Sequence, residues 1–400
     1  MSRSRPSITA PARRGTAWRM LPLILAAFLL GLLLSASLAA QTVPTQTLAA
    51  PTTEFEEPFT RVSGVRELSG GALIVGDARD QTLQRIDLAS GSATAVGRRG
   101  SGPTEWDTPF ALHAMPGDST LVFDAMNQRY LVIGPDAKPA GTFTLGEGEG
   151  MMVGRRPRGV DAQGRLYYQG GAVREREGDG PPTMLDSVAI VRFDRKLKRH
   201  DTLAMIKGPD LKVGGSSSGN NRMVMIRAQP FAAGDDWGVT GDGRVALARS
   251  KVYGLDWISG GRRTRGANVA YKPIKVTAAD KAEWEKRMRD ARPIIRTVGG
   301  GGGRMPAPPP PSADDQTWPA VKPPFTGEAV QVSPEGEAWV MRTTPAGEKR
   351  AQFDVFDGQG RLARKVVLPP DTRLVGFGKG VAYLVRTDAD GLEWLGRYRR

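Results

Sequence analysis

Few residues in this chain have the type and spacing to do chemistry. It has two histidines, His113 and His200, and no cysteine. The missing cysteine excludes disulfides, thiolate metal sites and a cysteine nucleophile. A single histidine is not a metal site; His113 falls in an apolar stretch, and His200 sits beside Arg199 in a stretch that reads as exposed. The polar run Ser216 to Asn221 contains no Gly-x-Ser-x-Gly elbow and has no histidine partner. The glycines from Gly299 to Gly303 open no helix and precede no Lys-Ser/Thr, so they form no phosphate loop. Carboxylates remain. Asp77 and Asp124 stand at equivalent places, each just after an apolar segment, where a carboxylate can accept N–H bonds from the next turn. The matching places further along hold Gln169, Arg249, Arg342 and Arg386, so no ring of acids follows from the pattern.

The elements that would position these groups come from a repeat. Gly71-Ala72-Leu73-Ile74-Val75 recurs as Ser119-Thr120-Leu121-Val122-Phe123, Gly164-Arg165-Leu166-Tyr167-Tyr168, Gly243-Arg244-Val245-Ala246-Leu247, Gly336-Glu337-Ala338-Trp339-Val340 and Gly380-Val381-Ala382-Tyr383-Leu384. Each copy is a tight turn followed by an apolar strand. Repeats at this spacing predict an all-β, six-bladed β-propeller over residues 59–400, with four strands per blade. Phe123, Tyr167, Trp339 and Tyr383 lie in second strands and read as core between blades. Blade six runs out after a third strand, Glu393 to Tyr398. An unclosed ring would leave two bare sheet edges, so the linker of residues 41–58 is expected to supply a closing strand near Thr53 to Glu57.

Glycine (50) and proline (30) are plentiful, as many turns require. The net charge is +14, of which Arg3, Arg5, Arg13, Arg14 and Arg19 precede an uncharged apolar run, Met20 to Ala40; the remainder carries +9. Residues 1–40 read as a signal peptide or, if uncleaved, an inner-membrane anchor, and either places the propeller in the periplasm or outside the cell. The lack of cysteine rules out a lipidated N-terminal cysteine. Lys and Arg are scattered among acids with no aromatic-interleaved basic stripe, which argues against nucleic acid. A basic exported domain favours anionic partners.

Arg98-Arg99-Gly100-Ser101-Gly102-Pro103-Thr104-Glu105-Trp106, with Pro109 after it, resembles the connector of NHL-like six-bladed propellers; Thr104 replaces a glycine and Trp106 the usual phenylalanine. Val252 to Arg292 is similar to exported bacterial propellers of that kind. The resemblance implies the fold and leaves activity open. Lactonase-type propellers hold calcium with Glu, Asn and Asp around the channel, and by that likeness the candidates here are Glu67, Asp77, Asp124, Asn127 and Asp161.

Repeat spacing stretches in three places, the insertions 170–186, 208–228 and 275–327. All three should open on one face, because the loop joining strands two and three lies at the same end of a blade as the connector to the next. Such insertions mark a binding side. In the longest, Thr277 caps a helix from Ala278 to Arg292, stopped by Pro293, with Trp284 and Met288 on one side. Val298 to Pro311, with its glycine and proline runs, reads as a flexible excursion. The reading is a monomeric exported binding or scaffold module. Its candidate face residues are Trp106, Arg174, Arg222, Trp284 and Met288, and its partner is a protein, glycan or other anionic surface. No cofactor is expected. The alternative is a calcium-dependent lactone or ester hydrolase using channel carboxylates.

Overall fold

Six antiparallel sheets follow one another along the chain and form the blades of a propeller. The computed structural model describes residues 43–144, 156–174, 183–218, 221–290 and 312–400. Residues 1–40, expected to be a leader, the run Val298 to Pro311, expected to be an excursion, and the expected helix end at Arg292 lie outside the described residues. Blade one comprises Val62–Glu67, Leu73–Asp77, Thr82–Asp87 and Ser92–Ala95, and blade two Pro109–Ala114, Thr120–Asp124, Arg129–Ile133 and Pro139–Phe143. Blade three has Gly159–Val160, Leu166–Gln169, Ser187–Asp194 and Arg199–Lys207, and blade four Asp236–Val239, Val245–Arg249, Gly254–Ser259 and Arg262–Thr264. Blade five has Val330–Val332, Ala338–Met341, Gln352–Phe356 and Leu362–Val367, and blade six Thr372–Gly378, Val381–Thr387 and Glu393–Arg399.

The second strands are apolar on both sides because each blade is packed between two others. Their period of two sends alternate residues into alternate seams. Leu73 joins Val381 and Tyr383 between blades six and one, while Ile74 joins Val122 and Leu131 between blades one and two. Tyr167 meets Trp237 and Val245 between blades three and four, while Leu166 and Tyr168 meet Leu121 and Phe123 between blades two and three. Ala246 and Val340 share the next seam, and Trp339 and Leu384 the one after. Among the described residues the core is therefore six apolar clusters, one per seam. Glycine sets how closely the inner strands approach: a Cβ at Gly376 would sit 2.5 Å from the carbonyl oxygen of Val65 in blade one.

The connector after blade one shows why its residues have their pattern. Glu105 folds back to accept N–H bonds from Gly102 (2.8 Å) and from Arg98 Nε (2.7 Å). A Cβ at Gly100 would lie 2.0 Å from that carboxylate. Trp106 then turns inward and its indole N–H donates to Val96 O at 2.9 Å.

The N-terminal segment contributes two strands. Thr53–Glu54 pairs antiparallel with blade six, Thr53 opposite Arg397, and completes its fourth strand. Thr45–Thr47 lies parallel to Leu362–Val367 and gives blade five a fifth strand. Leu48 is buried against Trp339, and Phe55 and Phe59 are buried against Val381 and Leu395. At the same seam Glu393, 1% exposed, accepts the N–H of Val62 (2.7 Å) and bonds from Arg61 (3.0 Å) and Arg373 (2.8 Å).

Two insertions differ from their sequence reading. The polar run Ser216 to Asn221 overlaps two strands, Leu211–Ser218 and Asn221–Ala228, that pair antiparallel with Ser217 opposite Arg222. The β-branched and methionine residues from Met223 to Ile226 carry the strand that the serine run only follows. The third insertion is pinched at its base, where Ile274–Lys275 pairs with Val321–Lys322. Its helix, α1, spans Ala278–Asp290. Thr277 and Asp280 cap it reciprocally, the Asp280 carboxylate accepting the Thr277 N–H at 2.8 Å. Asp280 is also paired with the buried amine of Lys322, which ties the helix to the base of the insertion.

Replacing Glu393 with alanine leaves the buried Val62 N–H and two arginines without their carboxylate. Glu393→Ala is expected to cost about 2–4 kcal/mol in urea unfolding, whereas Glu56→Ala, at an exposed position of the strap, changes stability by less than about 0.5 kcal/mol.

Candidate functional site

The acids singled out as calcium candidates are committed to the turns around them. Asp77 accepts backbone N–H bonds from Thr60 (2.8 Å), Arg61 (2.9 Å), Arg79 (2.8 Å) and Asp80 (2.9 Å). Asp124 does the same for Asp107 and Thr108 (both 3.1 Å), takes a bond from Asn127 Nδ2 (2.7 Å) and pairs with Arg129. Asp161 accepts from the Tyr167 hydroxyl (2.9 Å), Arg165 Nε (2.6 Å) and two backbone N–H groups. That hydroxyl is pushed up to about 12 by burial and by the Asp161 charge. Glu67 accepts the Tyr383 hydroxyl across the seam between blades six and one (2.9 Å). Of the five, only Asp124 and Asn127 are brought together. Among the described residues no three His, Asp or Glu side chains converge as a metal-binding group.

The histidines separate as well. His200 is exposed and stacks on Phe193, ring centroids 4.5 Å apart. His113 is half-buried in the inner strand of blade two and bonds through Nε2 to Pro157 O (3.1 Å). Burial, with the Arg156 charge nearby, lowers its pKa to about 4, so at neutral pH the ring is uncharged and Nε2 carries the donated proton.

Concave surface gathers where the insertions emerge. An aromatic cleft of 310 Å³ is walled by Phe231, Tyr271 and Trp318 together with Pro230, Pro319 and Pro324. The rings of Phe231 and Trp318 are 6.0 Å apart, and Trp284 of α1 meets Trp318 edge-on at 5.6 Å. Two cations attend them: Lys322 Nζ lies 5.0 Å from the Phe231 centroid and Lys281 Nζ 5.7 Å from that of Trp318. Phe231 has φ +52°, a left-handed conformation that a bulky residue adopts only under constraint. The Lys207 amine supplies part of that constraint by bonding to Asp210 (2.8 Å) and to the carbonyl of Ala233.

A second cleft, of 330 Å³, adjoins the first through Ala232. It lies at the start of the inner strands of blades three to five and is charged. Arg156 and Arg158 lead into blade three, Asp235 and Asp236 begin blade four, and Glu328 precedes blade five. Arg158 pairs with Asp236 at 2.6 Å, and Arg156 pairs with Glu328. The two clefts together draw on the second and third insertions and on the end of the second strand of blade three, at Gln169.

The face residues named from sequence fare differently. Trp106 is 4% exposed and packs in the seam between blades one and two, so it offers no surface. A tryptophan in a turn-rich connector reads as displayed, but this connector folds inward at that residue. Trp284 and Met288 are half-buried on α1, and Trp284 backs the aromatic cleft through Trp318. Arg174 and Arg222 have described backbones, opposite Thr183 and Ser217 respectively. Sequence reasoning passed over Phe231, Trp318, Arg156 and Arg158. The dipeptides Pro230-Phe231 and Trp318-Pro319, aromatics beside proline outside the repeat, were the available signal.

No family model and no curated protein matches this sequence. Solved structures are similar to it over most of its length. Regucalcin, a calcium-binding protein from Agrobacterium tumefaciens, is 14% identical over 90% of this chain and 97% of its own, with a TM-score of 0.40. A candidate exported protein from Bacteroides fragilis is 10% identical over 90% and 100%, with a TM-score of 0.46. A gluconolactonase from Xanthomonas campestris is 8% identical over 90% and 99%, with a TM-score of 0.41.

His113 makes the fold acid-sensitive. Its folded pKa, about 4, lies below the usual histidine value, so the unfolded chain binds a proton that the native state refuses. That contribution is complete above about pH 6.5 and erodes as the pH falls toward 4, by at most about 3 kcal/mol. Between pH 7 and 5 the melting temperature of the His113→Gln protein should fall less than that of the parent; parallel curves would remove His113 from the account.

Proposed function

We propose that this propeller is an exported, NHL-like binding module that holds an anionic glycan on its insertion-bearing face. The observation that carries the reading is the aromatic cleft. Phe231, Tyr271 and Trp318 come from three separate non-repeat segments, and one of them is kept in a strained backbone conformation. Pyranose rings present C–H faces that stack on such rings, and the ammonium group of Lys281 beside the Trp318 ring favours a sugar that carries negative charge. The charge of +9 beyond the leader draws polyanions in the same sense. Export rests on the basic, then apolar, character of residues 1–40, as a signal peptide or an uncleaved anchor. The module works as a monomer.

The calcium-dependent hydrolase is not favoured. A calcium site needs several oxygen ligands around one point, and the carboxylates at Asp77, Asp124 and Asp161 are each spent on their own turns. A protein partner for the same face is an outcome of the binding test.

Retardation of the purified protein in gels containing alginate, an acidic polysaccharide, or dextran, a neutral one, tests the reading. Alginate should retard it and dextran should not. Trp318→Ala, checked for an unchanged far-ultraviolet spectrum, should weaken alginate binding about tenfold, the loss of one good stacking contact. Equal retardation of the variant, or none of the parent, would sink the glycan reading and turn the search to protein partners.

A further inference from the structure

We propose that the charged cleft is an oxyanion site in which Arg156 and Arg158 hold a carboxylate or phosphate group of the ligand, and that the side chain of Glu328 occupies it until the ligand arrives. This rests on the reading of the insertion-bearing face as the binding face and names the group that the second cleft takes.

The two arginines stand two residues apart in the lead-in to blade three and line the same cleft. Each is backed by a ring from another blade. The Arg156 guanidinium lies 5.2 Å from the Phe110 centroid in blade two, and that of Arg158 lies 5.1 Å from the Trp237 centroid in blade four. Trp237 is buried and its indole N–H donates to Gln169 Oε1 at 3.1 Å, so the platform under Arg158 is itself held. A guanidinium fixed in this way loses little freedom on binding, and its planar fork suits a carboxylate or phosphate.

The acids around them have unequal commitments. Asp236 engages Arg158 with one oxygen and accepts the Val330 N–H with the other (2.8 Å), locking blade four to blade five. Asp235 accepts bonds from Ser250 N (2.8 Å), Ser250 Oγ (3.0 Å) and Lys207 N (3.2 Å). Neither can leave without breaking structure. Glu328 can. Its side chain is 67% exposed, and its ionic partner is Arg156 on the far wall of the cleft.

An ion pair this exposed adds little to stability. The left-handed backbone of Glu328, φ +61°, is the same whether or not its side chain is paired. A ligand oxyanion can therefore replace the Glu328 carboxylate like for like at little cost. The cleft of 330 Å³ opens beside the aromatic one, so a single ligand can place a ring in the first and its charged group in the second.

The test is calorimetric titration of the full chain with inorganic phosphate and, separately, with malonate. Glu328→Gln removes the resident competitor and keeps the size of the side chain. It should tighten binding of at least one probe about five- to tenfold, and Arg156→Gln should weaken it at least about tenfold, both effects shrinking as salt rises. The probe that responds tells phosphate from carboxylate. Glu56→Ala, at an exposed position of the strap that lines neither cleft, should leave both titrations unchanged. Unaltered affinity in Glu328→Gln, or full retention in Arg156→Gln, overturns the proposal, as does absence of binding by parent and Glu328→Gln alike. Alginate binding that depends on Trp318 but ignores Arg156 and Glu328 would sink the oxyanion site and leave the glycan reading standing. Phosphate or malonate binding without alginate binding would do the reverse.

Discussion

The structure depends on closing a ring, and the closure is concentrated at Glu393. Six blades can each be well packed and still leave two sheet edges facing solvent. Glu393 begins the third strand of blade six and bonds to the first inner strand of blade one through the Val62 N–H, while Arg61 and Arg373 neutralise its charge. The N-terminal segment also lays Thr53–Glu54 along the outer edge of blade six and Thr45–Thr47 along that of blade five. A segment from one end of the chain thus straps two blades at the other. The entropy of closing so long a loop grows only slowly with its length, so a few buried contacts at Leu48, Phe55 and Phe59 suffice to hold it.

With the ring closed, the second strands decide its regularity. Alternate side chains of one strand feed neighbouring seams, so no seam can change its packing without disturbing the next. The buried acids serve the same end: Asp77 and Asp124 gather the N–H groups of turns that would otherwise go unbonded, and Asp236 joins two blades. Their burial and hydrogen bonds resemble those of catalytic carboxylates, yet the partners are the backbone of the protein itself.

The insertions follow a different logic. They are not needed to complete any blade, and next to them, at the two clefts, Phe231 and Glu328 take the left-handed backbone that turn residues such as Gln81 and Asp371 also adopt. The buried Asp280–Lys322 pair and the capped helix hold the longest insertion against the propeller without burying its aromatic wall. Rigid blades beneath and constrained connectors above make a surface whose side chains are positioned before anything binds.

The amino-acid sequence by itself determined the number of blades, the second strands, the helix cap at Thr277 and Asp280, and the shortage of one strand in blade six. These are local properties, set by a period of two, by turn residues and by capping chemistry within a few positions. The tertiary structure alone decided the rest. It buried Trp106 in a seam, paired the two strands that the run Ser216 to Asn221 overlaps, added a second strap strand on blade five, and spent the candidate calcium acids on nearby N–H groups. It also brought Phe231 to Trp318 and Arg156 to Glu328. Those pairings join segments separated by most of a blade or more, and no periodicity in the chain encodes the distance between them.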